Sequence, residues 1–175
     1  MIIEWTEVPS PVGRLTLAAA ESRLVALCFD GLWEKRIRDF EQRFENCRFV
    51  RRSDAAGAKS RLARYFDGDL EALVDLEVES HGTPFQQAVW RQLRLIPAGQ
   101  TRTYGEIAAA IGAPTAVRAV GAANGANPIG IVVPCHRVIG SNGKLTGFAG
   151  GLASKRWLLD HESAQRRLPS RSAAA

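Results

Sequence analysis

The chain is short of several things, and each shortage closes off a class of function. It has three cysteines, Cys28, Cys47 and Cys135, with no Cys-x-x-Cys and no His-x-x-x-His spacing. An odd count without paired spacing argues against a disulfide scaffold and suits a reducing compartment. The same spacing argues against a structural zinc with four local ligands, so neither metal nor cofactor is expected. There is no long uninterrupted apolar run, and hence no expected membrane span. Met1-Ile2-Ile3-Glu4 has neither a basic start nor a leader-like apolar core. No secretory signal is therefore expected, and a cytoplasmic protein is the simplest reading.

Acidic residues are scarce in one part of the chain. Between Gly82 and Asp160 they are only Glu106 and Asp160, against eight basic residues: Arg91, Arg94, Arg102, Arg118, Arg137, Lys144, Lys155 and Arg156. The whole chain has 23 Lys and Arg against 18 Asp and Glu, a net charge of +5 and a pI near 9.6. The entire excess thus sits in the second half. A positive field on one unit attracts polyanions, the phosphate backbone foremost. A solvated basic face explains the charge equally well when charge is taken alone.

The 175 residues suffice for a real core, as one domain or two small ones. Ile2 to Val8, Arg14 to Ala20 and Leu24 to Phe29 read as short strands. Ser10-Pro11-Val12-Gly13 and Glu21-Ser22-Arg23 supply the turns of an antiparallel meander. Trp33, Ile37, Phe40 and Phe44 recur at helical spacing and would cover the sheet. Leu62, Tyr65 and Phe66 suggest a second helix, stopped by Asp67-Gly68-Asp69. No catalytic cluster is visible in this half, and Cys28 and Cys47 read as packing residues.

The second half reads as short helices with strong punctuation. Thr83-Pro84-Phe85-Gln86 and Thr103-Tyr104-Gly105-Glu106 are capping boxes, the first with proline in the opening turn. The second opens a helix through Ile111. Gly112-Ala113-Pro114 breaks it, and Thr115 to Asn124 forms the next. Two short helices joined by a glycine-containing turn form a helix-turn-helix pattern, whose second helix enters a DNA groove. Arg118 is the only charge on that second helix. Pro134-Cys135-His136-Arg137 then puts a thiol beside an imidazole and a guanidinium, groups that favour a reactive thiolate. By itself a lone cysteine is more often a small core residue. Thr146 to Gly151 is a small-residue loop able to bring backbone N–H groups against a flat ligand. Leu152 to His161 reads as the last helix.

The order and spacing of these pieces change the weighting. Phe85-Gln86-Gln87-Ala88-Val89-Trp90, Tyr104-Gly105-Glu106-Ile107-Ala108, Arg118-Ala119-Val120-Gly121, Asn127-Pro128, Pro134-Cys135-His136-Arg137-Val138, Gly150-Gly151-Leu152 and Lys155 to Glu162 together resemble the catalytic domain of the O6-alkylguanine-DNA alkyltransferases. The Ser10-Pro11-Val12-Gly13 hairpin resembles that family's first half. The resemblance implies an α/β (α+β) protein. It would have an RNase H-like N-terminal domain over residues 1–80 and a helical, winged-helix-like C-terminal domain over 81–165, with a disordered tail over 166–175.

It also implies a chemistry. Cys135 would take the alkyl group from guanine O6 once and irreversibly, with His136 as its base through a water and Glu162 orienting His136. Asn127 would hold the cysteine-bearing turn, and Tyr104 would contact the base. DNA contacts are implied for Tyr104, Thr103, Arg118 (the finger that fills the gap in the stack), Ala119, Gly121, Ala122 and Asn124. The base pocket would use Val138, Phe148, Ala149, Gly150 and Lys155. Many relatives carry Tyr and Ser where this chain has Phe148 and Ala149, which keeps the backbone donor and loses two hydroxyls. The partner would be double-stranded DNA containing O6-alkylguanine, bound by a monomer, with O4-alkylthymine activity and cooperative assembly along DNA left open. The chain lacks the cysteine-rich zinc domain of longer relatives, so a stand-alone repair protein is expected. Three rivals stand beside this reading. One is an alkyltransferase-like protein that only binds lesions, and another a dimeric winged-helix regulator. The third is a hydrolase using Cys135, His136 and Glu162.

Overall fold

Strand alternation sets the first layer. The structure, a computed structural model, describes residues 1–167. Its strands β1 (Ile2–Ser10), β2 (Gly13–Ala20) and β3 (Arg23–Phe29) form the expected antiparallel meander. A fourth strand, β4 (Arg48–Arg51), was not anticipated. It pairs parallel with β1, giving the order β3-β2-β1-β4. Four residues with arginine at both ends carry too little apolar alternation to be read as a strand, and the pairing with β1 creates it.

Side-chain alternation gives the sheet two apolar faces. Ile3, Ala18, Ala20, Val25, Ala26 and Cys28 meet Trp33, Phe40 and Phe44 of the α1 segment (helix Trp33–Arg43). Leu15, Leu17, Leu24, Leu27 and Phe29 point the other way, into a core shared with α2 (Ala58–Phe66) and the second half of the chain. Cys28 and Cys47 are free thiols within this packing. The free edge of β3 is covered as well. Leu24 bonds through its N–H and C=O to Glu77 and Glu79, and the Leu27 N–H donates to Pro128 O at 2.9 Å. A pairing edge is thereby used up, and the two halves are joined along it.

The second half begins at α3 (Pro84–Arg94), where both halves of the Thr83/Gln86 capping box form. The same box, Thr103 with Glu106, starts α4 (Tyr104–Ala110). The next helix, α5, runs Val117–Gly125, later than the expected start at Thr115. Residues 113–116 first close a turn of their own around Pro114, with the Ala116 N–H on Ala113 O at 2.9 Å. Trp90 of α3 donates its indole N–H to Ala123 O at 2.8 Å and fixes α5 against α3. Two more short strands appear, β5 (Arg102–Thr103) and β6 (Val138–Ile139), paired in parallel. They tie the start of α4 to the residues just beyond Cys135. The last helix, α6, runs Gly151–Arg167. Residues 166 and 167, expected in the tail, continue this helix. The remainder of the expected tail, residues 168–175, lies outside the described residues.

Candidate active site and nucleic-acid interface

A strained turn presents the cysteine. Asn127 spans it, donating from Nδ2 to Val133 O at 2.7 Å and accepting the Ile129 N–H at Oδ1, 3.0 Å. Ile131 lies at its apex with φ of 70°, a left-handed conformation that a β-branched residue adopts only under constraint. A single 3₁₀ turn, Cys135–Arg137, follows. Cys135 is buried. Burial pushes its thiol above the ordinary cysteine value, while the polar side chain of Asn127 and the charge of Lys155 pull part of the way back. Left to itself the group is a thiol, so reaction requires a base.

An imidazole able to accept a proton lies one residue on. His136 is fully buried, with Nε2 2.8 Å from Glu162 Oε1. Its Nδ1 is buried and has no partner among the described residues. With Nε2–H donating to Glu162, Nδ1 is the free acceptor. Burial lowers the His136 basicity, and the pull of Glu162 does not fully compensate. Burial would raise the Glu162 carboxyl, but hydrogen bonds and charge from His136 and Arg137 overcome it and hold the group far below the carboxylate range. With His136 neutral, the permanently charged Arg137 is the true counter-ion. It reaches Glu162 through Nη2 at 2.8 Å and Nε at 3.0 Å, and its Nη1 donates to Ile96 O. The expectation that Arg137 supports the thiol is therefore corrected. Its guanidinium is committed to Glu162, and Lys155 is the cation beside Cys135.

Two partners of Glu162 were invisible in sequence. The Tyr65 hydroxyl, from α2, donates to Oε1 at 2.7 Å, and the Gly99 N–H donates to Oε2 at 2.9 Å. Tyr65 looked like one more apolar residue on a covering helix. Only the docking of the halves brings it to Glu162.

Cys135 lines a cavity of about 410 Å³ between the halves, together with Phe29, Asn127, Gly130, Gly147, Phe148 and Ala149. Phe29 packs edge-on to Phe148, centroids 5.1 Å apart. It also touches the bare Cα atoms of two glycines. A Cβ on Gly150 would lie 2.5 Å from the Phe29 ring, and one on Gly130 3.1 Å away. Lys155 is buried and donates Nζ to Val138 O at 2.7 Å and Thr146 O at 2.9 Å, so it pins the loop before Phe148 to the strand after Cys135. Tyr104 accepts the Thr146 hydroxyl at 3.0 Å, leaving its own proton free to donate.

A second groove, about 500 Å³, runs along α5 past Tyr104, Val117, Arg118 and Gly121. It shares Gly125, Gly147, Phe148 and Ala149 with the first cavity, so the outer face of α5 leads to Cys135. Arg118, Ala119 and Ala122 are exposed on that face. Gly121 is half-buried against Tyr104, where a Cβ would sit 3.9 Å from the ring. Thr103 is half-buried and occupied in capping α4. Asn124 departs from expectation. It is buried and donates Nδ2 to Cys135 O at 3.4 Å, because its helical position turns it inward toward the 3₁₀ turn. A larger groove of about 570 Å³ beside α1 is lined by no cysteine. Among the described residues no three His, Cys, Asp or Glu side chains converge as a metal site.

Two short helices whose groove opens onto a buried thiol, backed by an imidazole and a carboxylate, have the layout of a DNA-binding protein with a reactive cysteine. Comparison with known proteins agrees. Residues 84–164 match the profile described as 6-O-methylguanine DNA methyltransferase, DNA binding domain, and residues 3–80 match its ribonuclease-like domain. The chain is 47% identical over 159 residues to the methylated-DNA–protein-cysteine methyltransferase of Salmonella typhimurium, covering 89% of this chain and 93% of that one. It is 48% identical over 167 residues to that of Mycobacterium tuberculosis, 94% of each. The crystal structure of the M. tuberculosis O6-methylguanine methyltransferase superposes with a TM-score of 0.81 at 44% identity, covering 96% of each chain. The M. tuberculosis OGT in complex with DNA gives 0.77 at 44% identity and 94% of each. The chain belongs to the 6-O-methylguanine DNA methyltransferase family.

Proposed function

We infer that this protein repairs alkylated DNA directly, moving the alkyl group from guanine O6 to Cys135 in a single, irreversible turnover. The observation that carries the assignment of residues is the continuity of the α5 groove with the cavity holding Cys135, backed by His136 and Glu162. A guanine stacked in a duplex cannot reach a buried thiol, so it must be flipped out at a cost of a few kcal/mol. Arg118, exposed on α5, fills the gap in the stack. Ala119, Gly121 and Ala122 let the helix approach the backbone closely, and Thr103 lies at the start of the motif. The base then lies against Tyr104, which donates to N3, and the Ala149 N–H meets O6.

The proton count closes without a cofactor. The Cys135 proton passes through a water to His136 Nδ1, and the Cys135 sulfur attacks the alkyl carbon. A carbon–sulfur bond forms as the carbon–O6 bond breaks, and the released guanine anion takes one proton from water, equal to the one Cys135 gave up and His136 afterwards returns to solvent. Asn127 fixes the turn that aims the sulfur. Lys155 and the Val138 carbonyl hold the pocket loop in place. In this reading residues 1–80 brace a second unit, 81–165, that binds and reacts. Work on DNA supports a cytoplasmic location, and no helix among the described residues is long and apolar enough to cross a membrane.

The test is intact-protein mass spectrometry after incubation with an O6-methylguanine duplex, followed by peptide mapping. One methyl per protein, on Cys135 and saturating there, is the expected result. Tight lesion binding with no transfer would make the protein a damage sensor.

A further inference from the structure

We propose that Tyr65, on α2 in the first half of the chain, is a positioning residue for the transfer: with Arg137 it holds the charge of Glu162 away from His136 and keeps His136 a neutral proton acceptor. This rests on the reading of Cys135 and His136 above.

A carboxylate has about four lone-pair sites. Glu162 has all of them in use. Oε1 accepts from His136 Nε2 at 2.8 Å, Tyr65 Oη at 2.7 Å and Arg137 Nη2 at 2.8 Å. Oε2 accepts from Arg137 Nε at 3.0 Å and Gly99 N at 2.9 Å. His136 therefore shares its oxygen with a guanidinium and a phenol. An unshared carboxylate in a buried site would draw a second proton onto the imidazole. That proton would occupy Nδ1, the nitrogen that must receive one from Cys135.

The other groups facing His136 push the same way. Among the described residues Glu162 on α6 alone favours the imidazolium. Arg137 on its own turn and Lys155 on α6 oppose it through charge, and burial opposes it most. The ring of Phe148 closes one side, centroids 6.4 Å apart, and adds no charge.

Tyr65 has no other reason to be a tyrosine. It is fully buried, edge-on to Phe66 and His161. Phenylalanine would satisfy that packing. A buried hydroxyl costs free energy unless it is bonded, and its bond here is to Glu162. Burial, followed by the Glu162 charge, raises the phenol well above its ordinary value, so it stays a donor.

The test uses the full-length protein with Tyr65→Phe. The rate of Cys135 methylation by an O6-methylguanine duplex is followed against pH, and His136 is titrated by ¹⁵N NMR of its ring. Thermal melting reports the folded fraction. The acid limb of the rate and the His136 midpoint should both move up by about half to one pH unit. Incorporating 3-fluorotyrosine in place of Tyr65, an isosteric and stronger donor, should move both down. A uniform loss of rate at every pH, with the His136 midpoint unmoved in both variants, overturns the proposal and leaves Tyr65 a packing residue. Failure of the underlying reading is separate: wild-type protein would then show no methyl on Cys135 at any pH.

Discussion

Replacing Glu162 with glutamine keeps the shape of the side chain and removes its charge. Glu162 is fully buried, and the Arg137 side chain is only 11% exposed. Removing one partner of such a pair strands the other charge, at a cost of about 3–5 kcal/mol. The new amide NH₂ also faces donors, because Tyr65, His136, Arg137 and Gly99 all point hydrogens at this position. For a chain of this size each kcal/mol is about 2–4 °C of Tm, so the expected loss is roughly 6–20 °C. Denaturant and thermal melts of E162Q, R137M and the double variant check the reasoning. The double variant leaves no unpaired charge, so its loss should fall well short of the sum of the single losses. A loss below about 1 kcal/mol for E162Q, or strict additivity in the cycle, would refute the view that Arg137 depends on Glu162.

Other outcomes follow from the same geometry. Arg118→Ala should slow transfer from duplex DNA about tenfold, a loss of ~1.4 kcal/mol, while leaving transfer from free O6-benzylguanine nearly unchanged; equal losses on the two substrates would remove the finger role. Gly150→Ala should cost about 1–3 kcal/mol, because the new Cβ meets the boxed-in Phe29 ring, and unchanged stability in a urea titration would show that the ring yields. Stability should also fall with acid in two stages. Below about pH 6.5 the unfolded chain takes up a proton that buried His136 resists, and below about pH 4.3 the unfolded chain protonates at Glu162 before the folded one does. Urea midpoints that stay flat from pH 7 to pH 3 would contradict both shifts.

The parts of the site that were legible in sequence are those written locally. Thr83 with Gln86 and Thr103 with Glu106 are each three residues apart, and both boxes form as read. The meander was legible because strand alternation and turn residues are local too. Strand β4 was not, since its pairing with β1 crosses more than forty residues. Arg137 was misread for a related reason. Adjacency to Cys135 in sequence says nothing of direction, and a 3₁₀ turn sends successive side chains to different sides. The burial of Asn124 was not legible because a helix of mostly small residues does not declare which face is inward.

The sequence alone determined which groups are available to the proposed chemistry. A thiol, an imidazole and an arginine-bearing helix stand at spacings that local geometry can hold, in a stretch almost free of acidic residues. Tertiary packing decided how those groups are charged and what they face. Only when α2 docks against α6 does the Tyr65 hydroxyl reach Glu162, and only the docking of β3 sets Phe29 against Gly130, Phe148 and Gly150 beside the cavity that Cys135 lines. Protonation in a buried site depends on partners from every element packed around it, and those partners come together only in the folded chain.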